Sequence, residues 1–257
     1  MAYSIAGNDF STYNMQVISS LGALNFPGRL GDIDHDWNDE NGVDAYVLSS
    51  DLHWDGREIT LLIWYSGNNL NTDLATFRGL YEGQSVSLVT TYGTHTATLQ
   101  EIIAREIYET NKKAILNMKF WEPVVSVPSV PTPVGGSGIT LGSYDFLNDF
   151  GLHVQGLNGL YDFRYREEVL TYGEAPEQIS GYRGNRKINI LLNGHYSSLS
   201  NLTGNINDLH AVLRSSGLKT LGYNGISEDV YFADKSTVTV IINALIAIVR
   251  LTLRISE

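Results

Sequence analysis

Apolar and polar positions alternate over much of this chain, and the clearest alternation is written twice. Residues 56–63 read G-R-E-I-T-L-L-I and residues 185–192 read N-R-K-I-N-I-L-L. Ile59, Leu61, Ile63 and Tyr65 share one face, as do Ile188, Ile190 and Leu192 in the second copy, behind Arg57 and Arg186. Period-2 alternation rich in branched residues predicts a strand buried on one side. F-S-T-Y-N-M-Q-V (10–17) precedes the first strand and F-L-N-D-F-G-L-H-V (146–154) the second. A polar loop follows each strand, then a short helical pattern and a glycine. In the first copy Leu74, Phe77 and Leu80/Tyr81 fall on one face, with Asn71 or Thr72 as N-cap and Gly83 at the C-terminus. In the second the pattern is Leu209, Val212, Leu213 and Gly217. Closing strands are predicted at Leu116, Met118, Phe120, Glu122 and at Leu251, Leu253, Ile255, Glu257. Arg57 to Glu122 spans 65 positions and Arg186 to Glu257 spans 71, which places a six-residue insertion in the loop after the second strand. A repeat of this length is a small domain.

Residues 1–30 read as two or three short strands ending at Pro27-Gly28, and 31–42 as a polar, acidic loop. Val43, Ala45 and Val47 alternate as a strand, and further strands are expected at 85–89, 94–99 and 114–120. Segment 99–110 fits helix or strand; strand is preferred because its counterpart, 228–242, is strand-like. Four of the six prolines fall in 123–138, which ends in G-G-S-G and reads as an extended linker. The predicted organisation is therefore domain 1 over 1–122, a linker over 123–138 and domain 2 over 139–257. The expected fold class is mainly β: two tandem β-sandwich or open-barrel domains, each with one short helix.

The 257 residues are 43% hydrophobic and 18% charged, a globular composition. Cysteine is absent, which removes disulfides and thiolate chemistry. The N-terminus has no basic segment followed by an apolar core, so no signal peptide is expected. The longest apolar run, 238–249, is broken by Asn243 and is too short to span a bilayer, so no membrane partner is expected. Net charge is −11, concentrated before residue 123, where 7 basic residues face 16 acidic ones. Such a surface repels phosphates and argues against gripping nucleic acid.

The loop with Asp32, Asp34 and Asp36 places carboxylates at alternate positions, as a weak cation site would. Its sixth position is Trp37 and its twelfth Val43, where a calcium loop needs glycine and glutamate, so no metal site is assigned. The six histidines show no zinc spacing, and there is no nucleophile elbow, phosphate loop or dinucleotide fingerprint. No catalytic residue and no cofactor is assigned, and an enzyme is not expected. Two carboxylates of 32–40 acting as a glycosidase pair are the enzymatic alternative. All four tryptophans lie in the first copy. They suggest core and interface, or alternatively a carbohydrate-binding platform on Trp37 and Trp54. The residues singled out as fold-defining or interfacial are Arg57, Glu58, Ile59, Arg186, Ile188, Trp37 and Trp54.

F-x-x-Y-N-M-Q-V (10–17), W-N-D-E-N-G (37–42), D-G-R-E-I-T-L (55–61) and K-F-W-E-P (119–123), in that order, resemble the N-terminal domain of the distal tail proteins of long-tailed bacteriophages. The second copy is similar through Arg186, Ile188 and Ile190 but lacks W-N-D-E-N-G. The resemblance covers nearly the whole chain outside the linker. It implies domains related to tail-tube proteins, assembled as a six-fold ring around the DNA channel and joining the tube to the adsorption apparatus. Family members often carry a carbohydrate-binding module, for which two copies in 257 residues leave no room. Two tandem domains per chain imply a homotrimer with pseudo-six-fold symmetry, or alternatively a homohexamer. The expected partners are itself and other phage tail proteins, with DNA passing through the lumen without specific binding. The expected location is the virion tail, with assembly in the host cytoplasm. A tail-tube or hub component is the alternative within the same resemblance.

Overall fold

The computed structural model describes residues 3–35, 43–108, 110, 112–159, 168–172, 175–179 and 186–256. In chain order the first elements are β1 (Ser4–Ile5), β2 (Asn8–Asp9), a 3-10 turn (Phe10–Tyr13), β3 (Met15–Leu21), β4 (Asp34–His35), β5 (Asp44–Ala45), β6 (Arg57–Ser66), α1 (Leu70–Tyr81), β7 (Ser85–Thr90), β8 (Gly93–Tyr108) and β9 (Lys113–Glu122). Then follow β10 (Thr140–Leu141), β11 (Tyr144–Asp145), α2 (Phe146–Phe150), β12 (His153–Asn158), β13 (Glu168–Tyr172), β14 (Ala175–Ile179), β15 (Lys187–His195), α3 (Leu199–Arg214), β16 (Lys219–Tyr223), β17 (Ile226–Phe232), β18 (Thr237–Ile241), a second 3-10 turn (Ile242–Ala244) and β19 (Ile246–Ile255). The protein is mainly β.

The chain divides into two compact units. Unit 1 is Met1–Pro27 with Asp55–Ser126, and unit 2 is Gly28–Trp54 with Val127–Glu257. The sequence drew the first domain as an unbroken 1–122; here residues 28–54, between β3 and β6, belong with the second half instead.

In unit 1 the strand order is β2-β1-β7-β8-β9-β6-β3, every neighbour antiparallel. In unit 2 it is β11-β10-β16-β17-β19-β15-β12, also antiparallel, with β18 added beside β19. Substituting each strand for its counterpart turns one order into the other. The finer marks repeat as well. The β3–β6 pairing shifts register after Val17, and the β12–β15 pairing shifts after Val154. Asp9 caps the 3-10 turn, which ends in left-handed Asn14; Asp145 caps α2, which ends in left-handed Gly151.

Alternation places the cores as expected. Ile59, Leu61, Ile63 and Tyr65 on β6 are fully buried against Leu116, Met118 and Phe120 of β9 and Phe77 of α1. Ile188, Ile190 and Leu192 on β15 are likewise buried, as are Leu202, Ile206 and Leu209 of α3. Each such side chain contributes roughly 1.5–3 kcal/mol by leaving water.

Several expectations change. The first helix begins earlier than its apolar pattern, because Asn69 and not Asn71 or Thr72 accepts the Thr72 amide as N-cap. Of the Leu80/Tyr81 pair expected on its inward face, Tyr81 is buried and Leu80 is 53% exposed. Among the described residues unit 2 carries two helices, the short α2 and a 16-residue α3, in place of one short helix near 209–217. The closing strands align two residues away from the expectation. Ile63 pairs with Leu116 and Leu192 with Val249, so Glu122 corresponds to Ile255 and not to Glu257. The six-residue insertion therefore shrinks to four, matching the extra turn of α3, 16 residues against the 12 of α1.

Candidate functional site

The residues singled out by sequence separate into core, buried ion pairs and an inserted segment. Ile59 and Ile188 are core, and Glu58 is exposed. Arg57 and Arg186 occupy the same register position at the start of β6 and β15, and both are buried. A buried guanidinium must be paired. Arg57 donates through Nε to Glu122 at 2.6 Å and lies 3.1 Å from Nδ1 of His95. That histidine nitrogen is also 3.2 Å from Glu122, while its Nε2 is 3.1 Å from the Thr90 hydroxyl. Burial opposes the charge of Glu122, but His95 and Arg57 outweigh it and hold the carboxyl below its usual range. Burial likewise lowers the Arg57 guanidinium, against the pull of Glu122.

Unit 2 pairs its arginine differently. Leu88 faces His95 and Leu221 faces Glu228, so Glu228 stands where unit 1 has His95. Arg186 binds Glu228 at 3.2 Å, and Ile255 occupies the place of Glu122. The carboxylate has moved one strand over, and the position it left has become apolar.

The inserted segment 28–54 gathers the other named residues. Trp54 stacks on Phe232 at 5.7 Å between centroids, and the Arg214 guanidinium lies 5.0 Å from the Trp54 ring. The Arg29 amide donates to the Ala233 carbonyl at 2.8 Å, and the Gly217 amide to Val47 at 2.8 Å. Val43 packs with Tyr231 and Ala233. Asp34 accepts from Arg254 at 2.9 Å and from the Tyr231 hydroxyl at 2.5 Å, and Arg254 also clasps Asp234 through two nitrogens. Hydrogen bonding to Asp234 first, and then to Asp34, raises the Arg254 pKa.

The candidate cation loop is described only in part. Asp34 neutralises an arginine, Asp32 is exposed, and Asp36 lies outside the described residues, as does Trp37. Among the described residues no cluster of His, Asp and Glu could hold a metal ion. No helix among them is long and apolar enough to cross a membrane.

His95, Glu228 and Arg254 were not singled out by sequence, and Asp34 was singled out for a different role. Their signal is relational: each is legible only once the cross-strand partner is known.

Unit 1 also exposes apolar residues along sheet margins. β3 is a terminal strand and presents Ile18 at 55% and Leu21 at 64% exposure. Beyond Gln100, β8 pairs with β9 alone among the described strands, and Ile103, Ile107 and Tyr108 are exposed there. Such margins are templates for another chain unless covered.

No protein-family model matches the chain, and no curated protein matches it. Among solved structures it is similar to the Dit protein of phage SPP1, described as a paradigm of the hub adsorption apparatus in phages infecting Gram-positive bacteria. That likeness has a TM-score of 0.32 at 14% identity and covers 100% of this chain and 98% of that one.

Proposed function

We propose that the protein is a structural, ring-forming component of a long-tailed phage, a distal tail protein surrounding the DNA channel and joining the tail tube to the adsorption apparatus. The observation that carries this reading is the duplication. One strand order, one bulge position and one buried arginine recur in both units of a single chain, on the sequence motifs that resemble distal tail domains. Three copies then present six equivalent domains, and a head-to-tail contact that closes gives a ring. The exposed apolar margins of β3 and β8 are surfaces for such contacts. The net charge of −11 suits a lumen along which DNA slides.

This reading gives the protein a structural role, supported by the burial of Glu122 in an ion pair with Arg57. The tryptophan platform is less favoured, because the Trp54 ring is already engaged by Phe232 and Arg214. Native mass spectrometry with particle imaging tests the proposal. A three-chain annulus with a central hole is expected, and a monomer or a solid particle overturns it.

A further inference from the structure

Within unit 2, segment 28–54 meets the end of α3 and the start of β16 around a small cavity. Arg29 and Lys219 line it, with Val47, Trp54, Leu213 and Phe232 as apolar wall, and no Asp or Glu is among its lining residues. Its volume of about 10 Å³ is the room of a single water-sized sphere.

The two cations at this cavity are solvated but not neutralised. Arg29 is only 7% exposed. Its Nη2 donates to the carbonyls of Tyr46 at 2.5 Å and Asp51 at 3.3 Å. Its Nε and Nη1 are buried with no hydrogen-bond partner among the described residues. Lys219 is half-buried, and its Nζ donates to the carbonyls of Ser215, Ser216 and Gly217 at 2.8, 3.4 and 3.1 Å. Neither side chain forms an ion pair with a carboxylate among the described residues. Asp34 is taken up by Arg254 and the Tyr231 hydroxyl. Asp51 and Asp34 pull on the Arg29 charge from further off, but burial outweighs them and lowers its pKa. Burial brings Lys219 down to about 8.

We propose that this cavity is a binding site for one monatomic anion of the halide class, held by Nε and Nη1 of Arg29 with Lys219 as the second charge. A buried charge is costly unless it is paired. A water molecule there accepts from Arg29 but leaves both charges uncompensated, and a sulfate or phosphate is too large for the space. The anion joins an arginine of the inserted segment to a lysine of β16. It therefore fastens 28–54 to the rest of unit 2, beside the bonds from the Arg29 amide to Ala233 and from the Gly217 amide to Val47. The inference is independent of the proposed ring.

Titrating sodium chloride against sodium methanesulfonate at constant ionic strength tests it, with amide exchange at residue 29 and Gly217 followed by NMR. Opening of the segment releases the ion, so exchange is expected to slow as chloride rises, about tenfold at about nine times the dissociation constant. In Arg29→Gln this dependence is expected to vanish, and in Lys219→Gln to move to higher chloride. Crystals soaked in sodium bromide are expected to show an anomalous peak beside Arg29 Nε and Nη1. Bromide at surface positions only, with water in the cavity, overturns the proposal. So does exchange that responds equally to chloride and methanesulfonate. A bromide peak in the cavity without chloride-dependent exchange means an adventitious ion only and also overturns it. Should Arg29→Gln fail to fold, the bromide map of the parent and the Lys219→Gln titration decide.

Discussion

At the scale of single residues, the duplication lets each half act as a control for the other. Glu122 holds the buried charge of Arg57, so Glu122→Ile is expected to destabilise unit 1 by about 3–5 kcal/mol. Unit 2 shows the compensated solution, with isoleucine at that position and glutamate one strand over. Adding His95→Glu to Glu122→Ile is therefore expected to return at least about 1 kcal/mol, read as coupling in a double-mutant cycle by hydrogen exchange of the β6 and β9 amides. The same pair sets a pH dependence. The folded-state pKa of Glu122 lies below its unfolded value, near 4.5. Its contribution is complete above that value and is lost as pH falls through the lower, folded one. Acid unfolding monitored at β6 amides is expected to shift to higher pH in Glu122→Gln, which has no such charge to lose. Gly22 and Gly159 offer a backbone test. Both have positive φ, +83° and +91°, and a Cβ on either would overlap the carbonyl oxygen of Glu58 or Lys187, its counterpart. Gly22→Ala and Gly159→Ala are each expected to cost about 2 kcal/mol or more, whereas Gly79→Ala, in open helix surface, is expected to gain about 0.5–1 kcal/mol. Urea midpoints measure all three.

At the scale of elements, strands were legible and helices less so. The inward faces of β6, β9 and β15 follow directly from their alternation. The offset of the closing strand has a physical cause: alternation is unchanged by a shift of two, and Ala247 through Ile255 keep every second residue inside. Glu257 looked like the counterpart of Glu122 because each ends a closing strand as read from sequence, whereas the carboxylate that pairs with Arg186 is Glu228 on β17. The front of α3, L-S-N-L-T-G-N-I-N-D, is poor in helix formers, which hid it. Its Leu202, Ile206, Leu209 and Leu213 nevertheless recur at helical spacing, all buried. Segment 28–54 was unreadable as part of unit 2 because its anchors, such as Asp34 with Arg254, are 220 positions apart. Trp54→Ala is expected to release this element before the rest of unit 2: amide exchange at Leu30 and Gly217, slow in the parent, becomes fast while β15 and β19 stay protected.

At the scale of the whole molecule, the partition of the chain was not legible, and residues 123–138, read as a linker, divide between the two units after Ser126. The polypeptide passes between its units three times, after Pro27, after Trp54 and after Ser126. A fragment beginning at Val127 therefore lacks a piece of its own fold. It is expected to melt at least about 5 °C below the same unit in the full chain, by differential scanning calorimetry. Supplying 28–54 as a peptide is expected to recover part of the loss. A protease that nicks once within 123–138 is expected to leave two pieces that co-elute on gel filtration and part only in denaturant. In the proposed ring, tension during genome ejection would load this lacing rather than the single proline-rich thread, so severing that thread need not break the proposed assembly.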